Sequence, residues 1–197
     1  MCVDEKPDHI EAVDYFNRAQ VSYKLGEWDN ALESLKTALA MFQLEENTSK
    51  AQAYTLNSMA NTYKNKWGGR GEESSFSEAE DCYRQALVLK PEYPEAFINR
   101  ADLYLKKYKK TKAPEYIEKV LNDLKMFYEC RTEIQNVGDN IEFSFGKFVV
   151  CFRYLNDEGK LSFSDKKYFR KVEPIVRKAV SKDIIILLML DSVMVNI

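Results

Sequence analysis

Three short stretches of the sequence decide the fold: Tyr15-Phe-Asn-Arg-Ala19, Leu56-Asn-Ser-Met-Ala60 and Phe97-Ile-Asn-Arg-Ala101. The alanine that ends each stretch recurs with a step of 41 residues, and a bulky apolar residue precedes it by four positions. On an α-helix these two positions share one face, one turn apart. Because the small alanine lets another helix approach closely, the repeat predicts three helices that each pack against a partner.

A second helical pattern follows each of these stretches. Small or apolar residues recur at positions i, i+4, i+7 and i+8 in Ala31–Leu39 and Ala79–Leu87, and more loosely in Ala113–Leu121. The first and second helices therefore form pairs, and the chain is predicted to be an all-α repeat protein.

The middle pair is longer than the others because residues Trp67–Ser75 are inserted between its two helices. The run Gly68-Gly-Arg-Gly71 has no strand before it and no Lys-Ser/Thr after it, so we interpret it as an inserted loop and not as a phosphate-binding loop. Ser77-Glu-Ala-Glu80 has the spacing of a capping box, which predicts that the second helix of this pair begins there.

Two further segments resemble the tetratricopeptide repeat (TPR) family. The turn Lys24-Leu-Gly-Glu-Trp28 resembles its glycine-and-aromatic turn, and Lys90-Pro-Glu-Tyr-Pro94 resembles its helix-ending proline. That proline is missing after the first pair, where Gln43 stands, so the second helix is expected to run on to about Glu46. The resemblance covers residues 11–127, as repeats 11–46, 50–92 and 94–127 after a tail of residues 1–10. Residues 128–197 then form a C-terminal helical region that holds a fourth repeat or a cap.

The resemblance implies a solenoid of three to four helix pairs that binds a protein or peptide segment in a concave groove. In this family the ligand usually touches positions three before, one after and four or five after the small residue. Those positions are Phe16, Gln20, Tyr23 and Lys24 in repeat one, Asn57, Asn61, Lys64 and Asn65 in repeat two, and Ile98, Asp102, Leu105 and Lys106 in repeat three.

Two of these positions have chemistry suited to a peptide, since the Asn57 and Asn61 amides lie one helical turn apart and can bond a peptide backbone. Plain helix surface is the alternative for every one of these positions, and Phe16 or Tyr23 could instead belong to the core. We predict no catalysis, metal or cofactor, because the single histidine, His9, has no nucleophile or metal-ligand pattern around it.

The C-terminal region begins with Asn140–Leu155, which is rich in Ile, Phe, Val and Tyr. We favour a helix in which Gly146 is the small residue of a fourth repeat. Alternation of Ile141, Phe143 and Phe145 leaves a pair of strands as the rival interpretation. The apolar run from Ile184 to Leu190 is too short to span a membrane. Three interpretations of this run are left open: packing back into the groove, a dimer contact, and a chain cut from something longer.

Residues 165–181 form a two-faced helix at 100° per residue. Ser164 is predicted as its N-cap, and Pro174 is expected to kink or split it. The basic face is either a solvated outer surface or a contact for phosphates, of RNA or of an acidic membrane. Its residues are Lys166, Lys167, Arg170, Lys171, Arg177 and Lys178.

A second resemblance concerns the interferon-induced proteins with tetratricopeptide repeats. The spacing from Gly26 to Ala60, with Gln43-Leu-Glu-Glu46 between them, is similar to the opening of those proteins. This resemblance implies an RNA-binding antiviral effector as the alternative to a protein-interaction scaffold. The net charge of +5 over residues 106–197 favours RNA, and the net charge of −7 over residues 1–105 opposes it.

The cell compartment is inferred from the cysteines. Four are present, none in a C-x-x-C pattern, and no secretory signal precedes them, so reduced thiols in a cytosolic protein are expected. Protein or peptide is the favoured partner, RNA is the alternative, a membrane is disfavoured, and the oligomeric state is left open.

Overall fold

The computed structural model describes residues 11–130, 140–180 and 184–195. Within these ranges every regular element is an α-helix, which confirms the all-α fold class. The chain divides into two compact units, the first ending at Pro91 and the second starting at Glu92. The third helix pair therefore belongs with the C-terminal region, whereas the sequence grouped it with the first two pairs. The predicted tail of residues 1–10 lies outside the described residues.

Unit 1 contains four helices: α1 (Ala12–Lys24), α2 (Trp28–Leu44), α3 (Ser49–Arg70) and α4 (Glu73–Leu89). Each packs against the next one along the chain. The small residues of the repeat lie where helices approach, and none exposes any surface: Ala19, Ala31, Ala38, Ala53, Ala60, Ala79 and Ala86 are all 0% exposed. A methyl side chain is what allows the backbones to come this close.

The turn between α1 and α2 depends on Gly26, which has a φ of +76°. A side chain at this backbone angle is strained, so glycine is the residue that fits. The Gly26 amide donates to the Tyr23 carbonyl at 3.1 Å. The chain then enters α2 at Trp28, whose ring lies edge-on to Tyr23 with centroids 5.5 Å apart.

The predicted inserted loop is wrong, because the extra residues lengthen both helices of the second pair. Gly68 and Gly69 lie within α3, which ends only at Gly71 with a φ of +72°. Trp67 is buried, its ring lies edge-on to Phe76 at 5.3 Å, and its indole nitrogen donates to a Glu73 carboxylate oxygen at 3.3 Å. Burial of this aromatic pair favours helix on both sides of a short connection.

The predicted start of α4 at the Ser77–Glu80 capping box is wrong for the same reason. Helix α4 already begins at Glu73, so Ser77 lies inside it. Phe76 must be helical to reach Trp67, and this contact moves the helix start about one turn earlier than the local sequence signal.

Unit 2 contains α5 (Pro94–Thr111), α6 (Glu115–Glu129), α7 (Asn140–Asp157), α8 (Phe163–Ala179) and α9 (Ile184–Val195). Helix α5 packs on α6 and α7, and α7 also contacts α6, α8 and α9. The strand alternative for residues 141–145 is therefore wrong, because these residues are part of α7.

Aromatic rings fill the core of unit 2. Phe152 of α7 stacks on Phe169 of α8 with centroids 4.0 Å apart, and Phe148 stacks on both of them. Between α5 and α6, Arg100 donates two hydrogen bonds to Asp123, at 2.8 and 2.7 Å. Since Asp123 is only 1% exposed, this bidentate pair supplies the partner that a buried carboxylate requires.

Gly146 has the role of a small residue, but its partner is α9. A methyl group built on Gly146 would lie 3.5 Å from the Ile186 side chain, an ordinary van der Waals distance, so α9 packs on α7 at a small residue that does not have to be glycine. Leu190 and Val193 of α9 are buried. Over the residues that the structure covers, part of the apolar run therefore packs on α7. None of the described helices is long and apolar enough to cross a bilayer.

Helix α8 begins two residues earlier than predicted, and Ser162 is its N-cap in place of Ser164. The Ser162 hydroxyl accepts from the Asp165 amide at 3.2 Å, and the Asp165 carboxylate accepts from the Ser162 amide at 3.1 Å. This reciprocal pair is a capping box, which leaves Ser164 in the first turn. Pro174 lies inside one uninterrupted helix, so the predicted split does not occur.

We predict that Ala60→Leu lowers the free energy of unfolding by about 1–3 kcal/mol, because the larger side chain has no room in a fully buried position. Urea unfolding followed by circular dichroism measures this change. The control is Ala40→Leu on the exposed side of α2, which should change stability by less than about 0.5 kcal/mol. Equal stability of the two variants would contradict a close helix crossing at Ala60.

Candidate binding face

Two of the predicted groove residues, Tyr23 and Asn65, meet along a line where side chains of α1 and α3 touch. The Asn65 amide nitrogen donates to the Tyr23 hydroxyl at 2.8 Å, and the Gln20 amide nitrogen donates to the Ser58 hydroxyl at 3.4 Å. Residue numbers increase in the same direction in both contacts, from Gln20–Ser58 to Tyr23–Asn65, so the two helices run parallel along this seam. We name the surface along it the α1/α3 face. Lys24 is exposed at the end of this face where α1 terminates.

An apolar cleft opens at the end of the α1/α3 face where α1 and α3 begin. Its volume is about 110 Å³, and almost all of its surface is carbon. Val13 and Tyr54 stand half-exposed at its mouth, and Phe42 forms part of its floor. The residues that line the cleft are Val13, Phe16, Phe42, Ala51, Tyr54 and Thr55. Of these, sequence reasoning identified only Phe16.

The sequence contains only a weak indication of the cleft residues other than Phe16. Val13 and Phe16 are three residues apart on α1, which is ordinary helical spacing for a core face. Phe42 lies beside them because α2 continues past the place where the family's proline would end it, up to Leu44. That combination creates a cleft only when the three helices are packed.

Three more predicted groove residues, all on α3, offer little to a ligand. Asn57 and Lys64 are 8% and 5% exposed, so a ligand reaches them only if the helices move. Asn61 is half-buried, and its carbonyl oxygen accepts from the Tyr83 hydroxyl of α4 at 2.7 Å. The Asn61 bond ties α3 to α4, and the α1 side of the seam and the cleft remain as the accessible part.

The predicted positions of repeat three lie in unit 2. Ile98 and Leu105 are 1% and 2% exposed, so both side chains belong to the core of that unit. Asp102 is half-buried and pairs with exposed Lys106, with 3.2 Å between the Asp102 oxygen and the Lys106 nitrogen. Of this set, only the ion pair faces water.

Ion pairs hold the C-terminal end of α3 against the start of α2. The Lys66 ammonium lies 2.8 Å from one Asp29 oxygen, and Arg70 lies 2.9 Å from the other. Hydrogen bonds from Lys66 and Arg70 lower the pKa of the Asp29 carboxyl below its ordinary value. Lys66 also approaches Glu72 at 3.4 Å. This exposed network orients the ends of the helices and adds little to stability.

The predicted basic face of α8 is largely at the surface. Lys167, Arg170, Lys171 and Lys178 are exposed, and Lys166 is half-buried. Arg177 differs from them, because it bonds Glu173 at 2.6 Å and Asp191 of α9 at 2.7 Å. These two hydrogen bonds raise its pKa, Asp191 contributing most, and the two acids offset its charge.

The described cysteines are buried thiols. Burial, together with the nearby carboxylates of Asp81 and Glu78, raises the pKa of the Cys82 thiol from 9.0 to about 12. The thiolate is the reactive form, so Cys82 has the environment of a packing residue and not of a nucleophile. Among the described residues, no group of three or more His, Cys, Asp or Glu side chains could hold a metal ion.

We predict that iodoacetamide alkylates Cys82 about 1,000-fold more slowly in the native protein at pH 8 than in the urea-unfolded chain, because so little thiolate forms at a pKa of about 12. Mass spectrometry of the peptide that contains Cys82 measures the rate. Comparable rates in the two states would show that the α3–α4 pair opens readily.

The helices pack in pairs, and small, fully buried residues lie at the contacts between them. This arrangement defines a TPR-like all-α fold. No protein-family profile matches the chain. A stretch of 100 residues, 47% of this chain, is 32% identical to human protein O-mannosyl-transferase TMTC3. A stretch of 52 residues, 26% of this chain, is 42% identical to the mouse protein of the same name.

These similarities are partial in both directions. The matched stretches amount to 10% of the human protein and 6% of the mouse protein, so the chain spans a tenth or less of the length of these relatives. Such matches are compatible with a TPR-like protein. They give no support to the resemblance to the interferon-induced proteins.

Proposed function

We propose that this chain is a protein-interaction module that holds a segment of another protein on the α1/α3 face of unit 1. A bulky aliphatic or aromatic side chain of that segment enters the apolar cleft beside Phe16. The role is binding without a catalytic step, and it requires no cofactor.

The cleft is the observation that carries this proposal. It is lined almost entirely by carbon, and its volume of about 110 Å³ approaches that of an engineered apolar cavity of about 150 Å³ that accepts benzene. One apolar side chain is therefore the chemistry that fits. Removing that side chain and the cleft walls from water supplies the affinity.

The seam beside the cleft supports an extended or helical segment. Tyr23 and Asn65 hold each other in place, and Gln20 is bonded to Ser58, so the side chains along the face are positioned before a ligand arrives. Pre-ordered side chains reduce the entropy that binding costs. The mannose-transfer activity in the names of the relatives is not part of the proposal, because the match covers so little of those proteins.

The test begins with a random peptide library displayed on phage and selected on the immobilised chain. The affinities of the selected peptides are then measured for Val13→Glu, which puts a charge at the mouth of the cleft. We expect a loss of about tenfold or more, because the carboxylate must be desolvated beside the bound side chain. Val21→Glu is the matched control, since Val21 is an exposed valine of α1 that does not line the cleft.

The control variant should bind within about twofold of the wild type, as expected for a surface change outside the interface. Equal affinity of both variants for every selected peptide would contradict the proposal. A library that yields no enriched peptide would also contradict it.

A further inference from the structure

Helices α8 and α9 lie side by side on α7. Phe169 of α8 stacks on Phe148 and Phe152 of α7, and Ile186 of α9 packs at Gly146 of the same helix. The two helices also touch each other, and Arg177 of α8 bonds Asp191 of α9 at 2.7 Å. Because both bury one face on α7, their opposite faces form one adjoining outer surface of unit 2.

The outward face of α9 is apolar. Ile185, Leu188 and Val195 are 66%, 64% and 85% exposed. Their spacing puts them on one side of the helix, opposite the buried Leu190 and Val193. Phe163, at the start of α8, is also highly exposed. These side chains stand out from the surface, whereas the side chains of a peptide-binding groove line a depression.

The outward face of α8 is basic. Helical spacing groups Phe163, Pro174 and four cations on it, and all of them are exposed: the cations are Lys167, Arg170, Lys171 and Lys178. The two acids of α8 lie off this face, since Asp165 is buried and Glu173 is bonded to Arg177. On α9, Asp191 is neutralised by the same arginine.

We propose that α8 and α9 form a docking surface for a membrane whose headgroups are anionic. The lysines of α8 attract the headgroups, and Ile185, Leu188, Val195 and Phe163 enter the boundary between headgroups and acyl chains. Cations beside projecting aliphatic and aromatic side chains are the combination with which interfacial helices bind acidic bilayers. The structure adds the exposed face of α9 to the basic face that the sequence indicated.

Two other occupants match only part of this surface. RNA would use the cations and would gain nothing from exposed aliphatic side chains. A second copy of the chain would cover the apolar face, but a symmetric contact uses the same patch on both copies, so it would bring the lysines no acidic partner. An anionic membrane satisfies both the charge and the apolar residues.

Vesicle flotation of the whole chain tests the proposal, with vesicles of phosphatidylcholine alone and of phosphatidylcholine mixed with phosphatidylserine. One variant combines Lys167→Gln, Lys171→Gln and Lys178→Gln, and another combines Ile185→Gln and Leu188→Gln. The control combines Arg18→Gln, Lys36→Gln and Lys50→Gln, which removes three exposed charges from unit 1. Circular dichroism checks that each variant keeps its helix content, and Leu188→Gln alone replaces the double variant if that one unfolds.

We expect the wild type and the control to float with the mixed vesicles and not with phosphatidylcholine. The lysine variant should bind about 100-fold more weakly, and the apolar variant about tenfold or more. Binding of wild type should also fall as salt is raised.

Other results would overturn the proposal. These are no flotation of the wild type, flotation that survives the lysine changes, and flotation that is independent of phosphatidylserine. Two further results would assign the surface to another occupant. One is binding of short RNA without vesicle binding, lost only in the lysine variant. The other is a concentration-dependent dimer without vesicle binding, lost only in the apolar variant.

Discussion

Close approach of helices at alanine is the constraint on which the rest of the structure depends. In unit 1, seven alanines of the helix pairs have no exposed surface, and larger side chains at these positions would separate the helices. When helices are this close, polar groups at their edges must find partners in the neighbouring helix. Tyr83 bonds Asn61, and Asn65 bonds Tyr23, for this reason. The same packing that stabilises the pairs therefore decides which side chains remain available to a ligand.

Much of the fold could be predicted from the sequence, because small and bulky residues recur at helical spacing in Ala19, Ala60 and Ala101 and in their partners. Local signals failed where a distant contact outweighed them. Ser77–Glu80 has the pattern of a helix start, yet the Trp67–Phe76 contact keeps that segment inside α4. Gly68 and Gly69 suggested a loop, and burial of Trp67 holds them in α3. No residue pattern within a few positions contains this information.

Less of the candidate site could be predicted. A family's ligand positions identify one side of a helix, but they do not say which side chains neighbouring helices cover. Ile98 lies on the expected side of α5 and is nonetheless core, whereas Phe16 lines an accessible cleft. The cleft needs Val13, Phe42 and Ala51 from three helices, so it exists only in the packed unit. The basic face of α8 was visible in the sequence because all its members lie on one helix.

The central claim is that Ala19, Ala60 and Ala101 lie at contacts between helices. The most direct measurement is nuclear Overhauser spectroscopy on protein labelled at its alanine methyl groups. For each of the three methyls we expect cross-peaks to protons of a helix other than its own, and protection from a soluble paramagnetic agent. Methyls that show contacts only within their own helix, and that the agent broadens, would contradict the account.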